Sequence, residues 1–186
     1  MALSRPLPPS VGSGAASAAM ACARAIITIG GRPPGDGPRG ATAPAFWLTD
    51  DAGTAHAYAG FNATGRDYAR IGELYRNGGR ANGKQIIPAN WVRASITADA
   101  PHLRPGERAN ADSAFGYGYQ WWLPGGGADS DFAAIGVYNQ FVYVNPARRI
   151  TIVKLSANSF YGTSNDESAG REGETIAFFR ALARAM

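Results

Sequence analysis

The chain predicts an α+β fold in which two helices precede an antiparallel sheet and a third helix closes the domain. Three observations carry this. Residues 65–77 and 172–185 show apolar residues at helical spacing. Between them, residues 115–155 switch to short β-branched and aromatic runs separated by turns. Those strand runs lie too close together for crossover helices, so they must pair as an antiparallel meander.

The first helix opens at Thr64-Gly-Arg-Asp67, a capping box: the Thr64 hydroxyl accepts from the Asp67 N–H while the carboxylate reaches back. Tyr68, Ile71, Leu74 and Tyr75 follow on one face, and Gly78-Gly79 stops it. Pro88, then Trp91, Val92 and Ser95-Ile96, predicts a second short helix. Residues 98–114 are polar, with Pro101 and Pro105, and read as loop. The aromatic run Phe115–Leu123 reads as the first strand, closed by Pro124 and three glycines. Phe132–Val137, the alternating Gln140–Asn145 and the β-branched Ile150–Leu155 follow, with a turn at Asn145–Arg148. The last helix carries Ile176, Phe179, Leu182 and Ala183 on one stripe.

With 186 residues, 45% of them hydrophobic, the chain has room for one ordinary domain and a packed core. Residues 1–45 differ from the rest: they hold seven of the twelve prolines and read as a disordered or non-homologous tail, with 46–186 as the folded unit. A secretory signal is a rival reading, with Arg5 at its start, Val11–Ala21 as its apolar run and Cys22 as a lipidation site; that run is too polar for a good signal core. Cytoplasm and periplasm both stay open.

The net charge of +4 divides as +3 in residues 1–45 and +1 in residues 46–186, so the folded part presents no basic face for nucleic acid. No apolar run is long enough for a membrane helix. One cysteine and two distant histidines, His56 and His102, point to no metal site and no cofactor. Gly78–Lys84 imitates a phosphate-binding loop, but a helix precedes it and Gln85 follows its lysine, so it reads as a helix exit. Asp129-Ser-Asp131 lacks the further oxygen ligands of a calcium loop and reads as a solvated turn. Tyr117, Tyr119, Trp121 and Trp122 read mainly as core, with the two tryptophans facing opposite sides. Neither Ser-x-x-Lys nor Gly-x-Ser-x-Gly occurs. Tyr143-Val-Asn145 has the spelling of a Tyr-x-Asn motif but sits where a strand meets a turn, a poor place for a catalytic tyrosine.

A string of segments nevertheless resembles class C β-lactamase-related serine hydrolases, penicillin-binding-protein-like in fold. The segments are Ala59–Gly79, Asn82–Pro88 with Trp91-Val92, Gly116–Trp122, Ala134–Pro146 and Ile152–Leu155, and the nearest branch is the nylon-oligomer hydrolases and related esterases. The resemblance implies part of a β-lactamase/transpeptidase-like fold, an antiparallel sheet flanked by helices with the helical domain missing. It also implies a relative that cleaves a small amide or ester substrate through an acyl-serine. The family's serine, lysine and tyrosine find no counterpart here, so no catalytic side chain is assigned. Its third motif falls on Ala134, Ile135 and Gly136, where alanine replaces the lysine or histidine. What the resemblance leaves is backbone: Gly136 for close approach of substrate and the Val137 N–H as one half of an oxyanion hole, with Tyr138, Asn139 and Gln140 completing the substrate edge. The chain is expected to be a catalytically incomplete fragment; the rival expectation is a non-catalytic module that binds a small ligand or partner along the same edge.

Overall fold

The computed structural model describes residues 43, 45–53, 60–107, 113–127, 129–161 and 171–186. The tail expectation therefore falls almost wholly outside the described residues, as do Cys22 and His56.

The first helix, α1 (Gly65–Arg76), starts where the capping pattern places it. The Asp67 N–H donates to the Thr64 hydroxyl at 3.2 Å. The reciprocal bond differs from the expected one: the Thr64 hydroxyl donates to the Asp67 carboxylate at 2.7 Å, which also holds Arg70. The exit is a tight hairpin, β3 (Arg80–Ala81) with β4 (Lys84–Gln85), turned by Asn82 and Gly83 at φ 49° and 75°. A second small hairpin pairs β1 (Phe46–Trp47) with β2 (Phe61–Asn62). Helix α2 (Ala89–Ser95) follows Pro88, and residues 101–103 make one 3₁₀ turn.

Five strands then form one antiparallel meander in chain order: β5 (Gly116–Tyr117), β6 (Trp122–Leu123), β7 (Phe132–Gly136), β8 (Gln140–Asn145) and β9 (Ile150–Lys154). The run 115–123 is thus two short strands and a turn rather than one strand. Gln120 takes φ 66°, and the Tyr119 N–H donates to the Ser95 carbonyl at the end of α2. Gly118 permits this contact, since a Cβ there would stand 2.0 Å from the Ser95 oxygen. Helix α3 (Glu172–Ala185) ends the chain.

The sheet is covered on both faces, which decides how β8 is read. Val142 and Val144 face α1 and pack with Leu74, Tyr75, Trp121 and Phe132. Phe141 and Tyr143 face the other way and pack with Ile176 and Phe179 of α3. The alternation in QFVYVN is therefore between two cores, not between core and water, and residues 141–145 are all buried. Helix α1 lies across β8 and β9. It comes close because residue 72 is glycine: a Cβ there would meet the Thr151 methyl at 2.5 Å. On α3, Ile176, Phe179 and Ala183 are buried as expected. Leu182 is 37% exposed, and Phe178 and Met186 extend an apolar stripe on the outer side.

Candidate functional site

Two polar constellations mark opposite ends of β7 and β8, because the register pairs Phe132 with Val144 at one end and Gly136 with Gln140 at the other.

At the first end, Asp131 is buried. Arg180 of α3 grips it with two parallel bonds, Nε at 2.7 Å and a terminal nitrogen at 2.8 Å, and also donates to the Pro124 carbonyl. The Tyr143 hydroxyl donates to the same carboxylate at 2.8 Å and accepts from Asn145 at 3.2 Å. Asp129 accepts from Asn145 and from Arg148 at 2.7 Å. Burial, above the carboxylate beside it, pushes the Tyr143 hydroxyl up to about 12. The Arg148 hydrogen bond holds Asp129 below the usual carboxylate range. This corrects the solvated-turn reading at Asp131, whose carboxylate clamps α3 to the sheet; Asp129 is part-exposed and Ser130 exposed. The Tyr143/Asn145 pair serves that clamp and is buried. Among the described residues no group of three His, Cys, Asp or Glu side chains is arranged for a metal, and no helix is long and apolar enough to cross a membrane.

The second end carries the residues Ala134 to Gln140. Strand β6 reaches β7 only through Trp122 and Ala133, so Ala134, Ile135 and Gly136 run past it. The Ala134 and Ile135 side chains turn to opposite cores. Val137 is the first residue beyond the β7–β8 ladder, and Val137 and Tyr138 are 59% and 53% exposed. Tyr138 and Asn139 sit at φ 60° and 65°, left-handed values that cost a non-glycine residue energy. Asn139 is buried and its side-chain oxygen has no hydrogen-bond partner. The Lys154 ammonium donates to the Asn139 carbonyl at 3.1 Å. The Gln140 carboxamide is committed to the Ser156 backbone, which removes it from any free substrate edge. Sequence reading missed Lys154 and Ser156 as partners of this turn; the β8–β9 register, which sets Phe141 against Lys154, is what brings them there.

Gly136 is informative by contrast with Gly72 and Gly118. Its φ of −120° suits any residue, and a Cβ there would meet only Gln140 at an ordinary 3.5 Å. Neither the backbone nor internal packing requires glycine at 136.

The aromatic set divides much as expected. Trp121 is buried between Tyr75 and Phe132, while Trp122 is half-buried edge-on to Tyr117. Tyr119 is exposed, with its ring beside Trp91 and its hydroxyl donating to Asp99.

A helix-flanked antiparallel meander agrees with the family comparison. The Beta-lactamase family pattern matches residues 18–175, and the chain belongs to that family. Among individual proteins, it is 31% identical over 111 residues to the 6-aminohexanoate-dimer hydrolase of Paenarthrobacter ureafaciens, covering 58% of this chain and 28% of that one. A solved Bacillus anthracis structure, provisionally named a 6-aminohexanoate-dimer hydrolase, superposes with a TM-score of 0.57 at 30% identity, covering 75% of this chain and 34% of that one. The chain thus spans about a third of the length of these relatives.

Proposed function

We propose that this chain supplies the sheet side of an acyl-serine hydrolase site for small amide or ester substrates, with the Val137 N–H as one oxyanion donor. The observation that carries the reading is the conjunction at Gly136-Val137. A glycine that the fold itself does not need precedes Val137, an exposed residue just beyond the ladder, on the strand end that β6 leaves open. A glycine leaves room for a substrate backbone to lie against β7, and an N–H beyond the ladder is free to aim at a developing oxyanion. Ala134 and Ile135 extend that edge, and Tyr138 offers an exposed ring beside it. The names of the relatives, hydrolases of a 6-aminohexanoate dimer, support hydrolysis of a small amide.

Within these 186 residues no Ser-x-x-Lys supplies a nucleophile with its base. The chain alone is therefore expected to leave nitrophenyl esters and aminohexanoate dimers untouched and to resist fluorophosphonate labelling. The decisive experiment is a chimera in which residues 46–186 replace the matching part of the Paenarthrobacter hydrolase. Recovery of dimer hydrolysis supports the reading. A folded chimera that labels at its serine yet turns over no amide or ester defeats it, as does stoichiometric labelling of a serine in the chain alone.

A further inference from the structure

The β8–β9 ladder ends at Phe141 opposite Lys154. One residue earlier on β8, Gln140 pairs through its backbone with Gly136 on the other side. The segment after β9 would separate here, but a side chain holds it. Gln140 Oε1 accepts the Ser156 N–H at 3.0 Å, and Gln140 Nε2 donates to the Ser156 carbonyl. A carboxamide has the donor and acceptor of a peptide group, so it substitutes for a missing rung of the ladder. Three lesser ties reach the same turn. Lys154 Nζ donates to the Asn139 carbonyl and lies 5.4 Å from the Phe141 ring centre. The Asn158 N–H donates to the Tyr138 carbonyl at 3.4 Å. The Tyr138 and Tyr161 rings are 5.8 Å apart.

The turn needs such ties. Two successive non-glycine residues take left-handed φ, and a buried acceptor goes unpaired. Such a conformation persists only where its surroundings over-determine it. Resting on the reading of Val137 given above, we infer that Gln140 is a positioning residue. Its carboxamide locks the segment after β9 onto the β7–β8 turn, and so fixes the direction of the Val137 N–H.

Two variants of the full chain test this by amide NMR and hydrogen exchange. Gln140→Met keeps the volume and loses both bonds. The Val137–Asn139 amides should shift, and the Ser156 amide should shift and exchange at least about fivefold faster, the worth of one hydrogen bond, while Val144 in the core keeps its rate. In Gln140→Glu at neutral pH, the carboxylate accepts from the Ser156 N–H but cannot donate to its carbonyl, so the same amides should move. Below the carboxyl's own titration the protonated acid donates again, and the wild-type positions should return. Lys154, the charged group on the adjoining strand, favours the carboxylate, while partial burial and the bond that only the acid donates to Ser156 favour the protonated form, so the test reads the acid return itself and not its midpoint. A role in packing alone produces no such pH-dependent rescue.

Unchanged Val137–Asn139 amides in Gln140→Met, or a Gln140→Glu spectrum without the acid return, overturn the inference. If Gln140→Met loses Val144 protection, and with it the fold, the acid return of Gln140→Glu decides alone. These readouts need no turnover. A chimera that fails to hydrolyse while the acid return is intact therefore counts against the oxyanion role of Val137 and not against the clamp.

Discussion

Strands β7 and β8 end in two polar groups that are built differently. At the Asp131 end, a buried carboxylate meets a two-pronged guanidinium and a tyrosine hydroxyl, and the Tyr143 hydroxyl has both a donor and an acceptor partner. At the Val137 end, the backbone turns through two left-handed residues, a buried amide oxygen lacks a partner, and apolar side chains face water. A buried charge that lacks its partner is strongly destabilising, so the first end must be complete for the fold to persist. Strained, incompletely paired backbone survives where something beyond stability holds it, and it clusters at functional sites. The comparison separates what holds this domain together from what it presents.

The largest expected effect lies at the closed end. Arg180→Met strands the Asp131 carboxylate in the core and should lower unfolding free energy by about 3–5 kcal/mol in urea titration. A loss under about 1 kcal/mol, within what exposed ion pairs contribute, would show that the clamp is not structural and would collapse the contrast.

Next comes the seam between α1 and the sheet. Gly72→Ala drives a methyl against Thr151 and Val142 and should cost about 1–3 kcal/mol, read as a lower melting temperature. Tolerance there would mean that α1 can lift from β8 and β9.

The pH dependence of Tyr143 is a weaker lever, because it acts only in alkali. Its folded value of about 12 lies above the ordinary 10.0, so the folded state holds the proton more tightly than the unfolded chain. The stability this confers is complete below pH 10 and is lost as pH rises from 10 towards 12. Tyrosinate absorbance should show one tyrosine ionising together with unfolding. Tyr143→Phe should flatten that part of the stability curve.

The smallest effect is expected at the open end. Gly136→Ala should change stability by no more than about 0.5 kcal/mol, since its φ and surroundings accept a Cβ. In the chimera the same change should raise KM for the dimer, because the added methyl occupies the substrate's approach. A large stability loss would turn Gly136 into a structural glycine and remove the sharpest difference between the two ends.

Much of the fold was legible in advance. The Thr64 cap and the β-branched ITIVK run are local signals, and each produced its element within a residue or two. The hairpin inside Phe115–Leu123 was not legible, because Gln120 at positive φ is held by a contact between Tyr119 and Ser95, residues 24 positions apart. The clamp was hidden for the same reason. Asp131 and Arg180 are 49 residues apart, and two aspartates around a serine spell an ordinary surface turn. At the candidate site, the resemblance singled out Gly136 and Val137, and the structure puts Val137 just beyond the β7–β8 ladder. The commitment of Gln140 to Ser156 was not legible, because it depends on where the β8–β9 ladder stops.

By itself, the sequence determined the three helices, strands β7 to β9, their order and their antiparallel pairing, since these follow from periodicity, caps and turn residues that act over a few positions. It also determined that no serine–lysine pair lies within these residues. Tertiary structure decided which faces of the sheet are covered, and so made β8 a strand between two cores rather than one with a wet side. It decided that Asp131 is a buried clamp for the closing helix while the turn at the other end stays open and strained. The physical reason is range: local propensity fixes φ and ψ residue by residue. Desolvation and hydrogen-bond pairing depend on residues that meet only when the sheet and its two helices have closed.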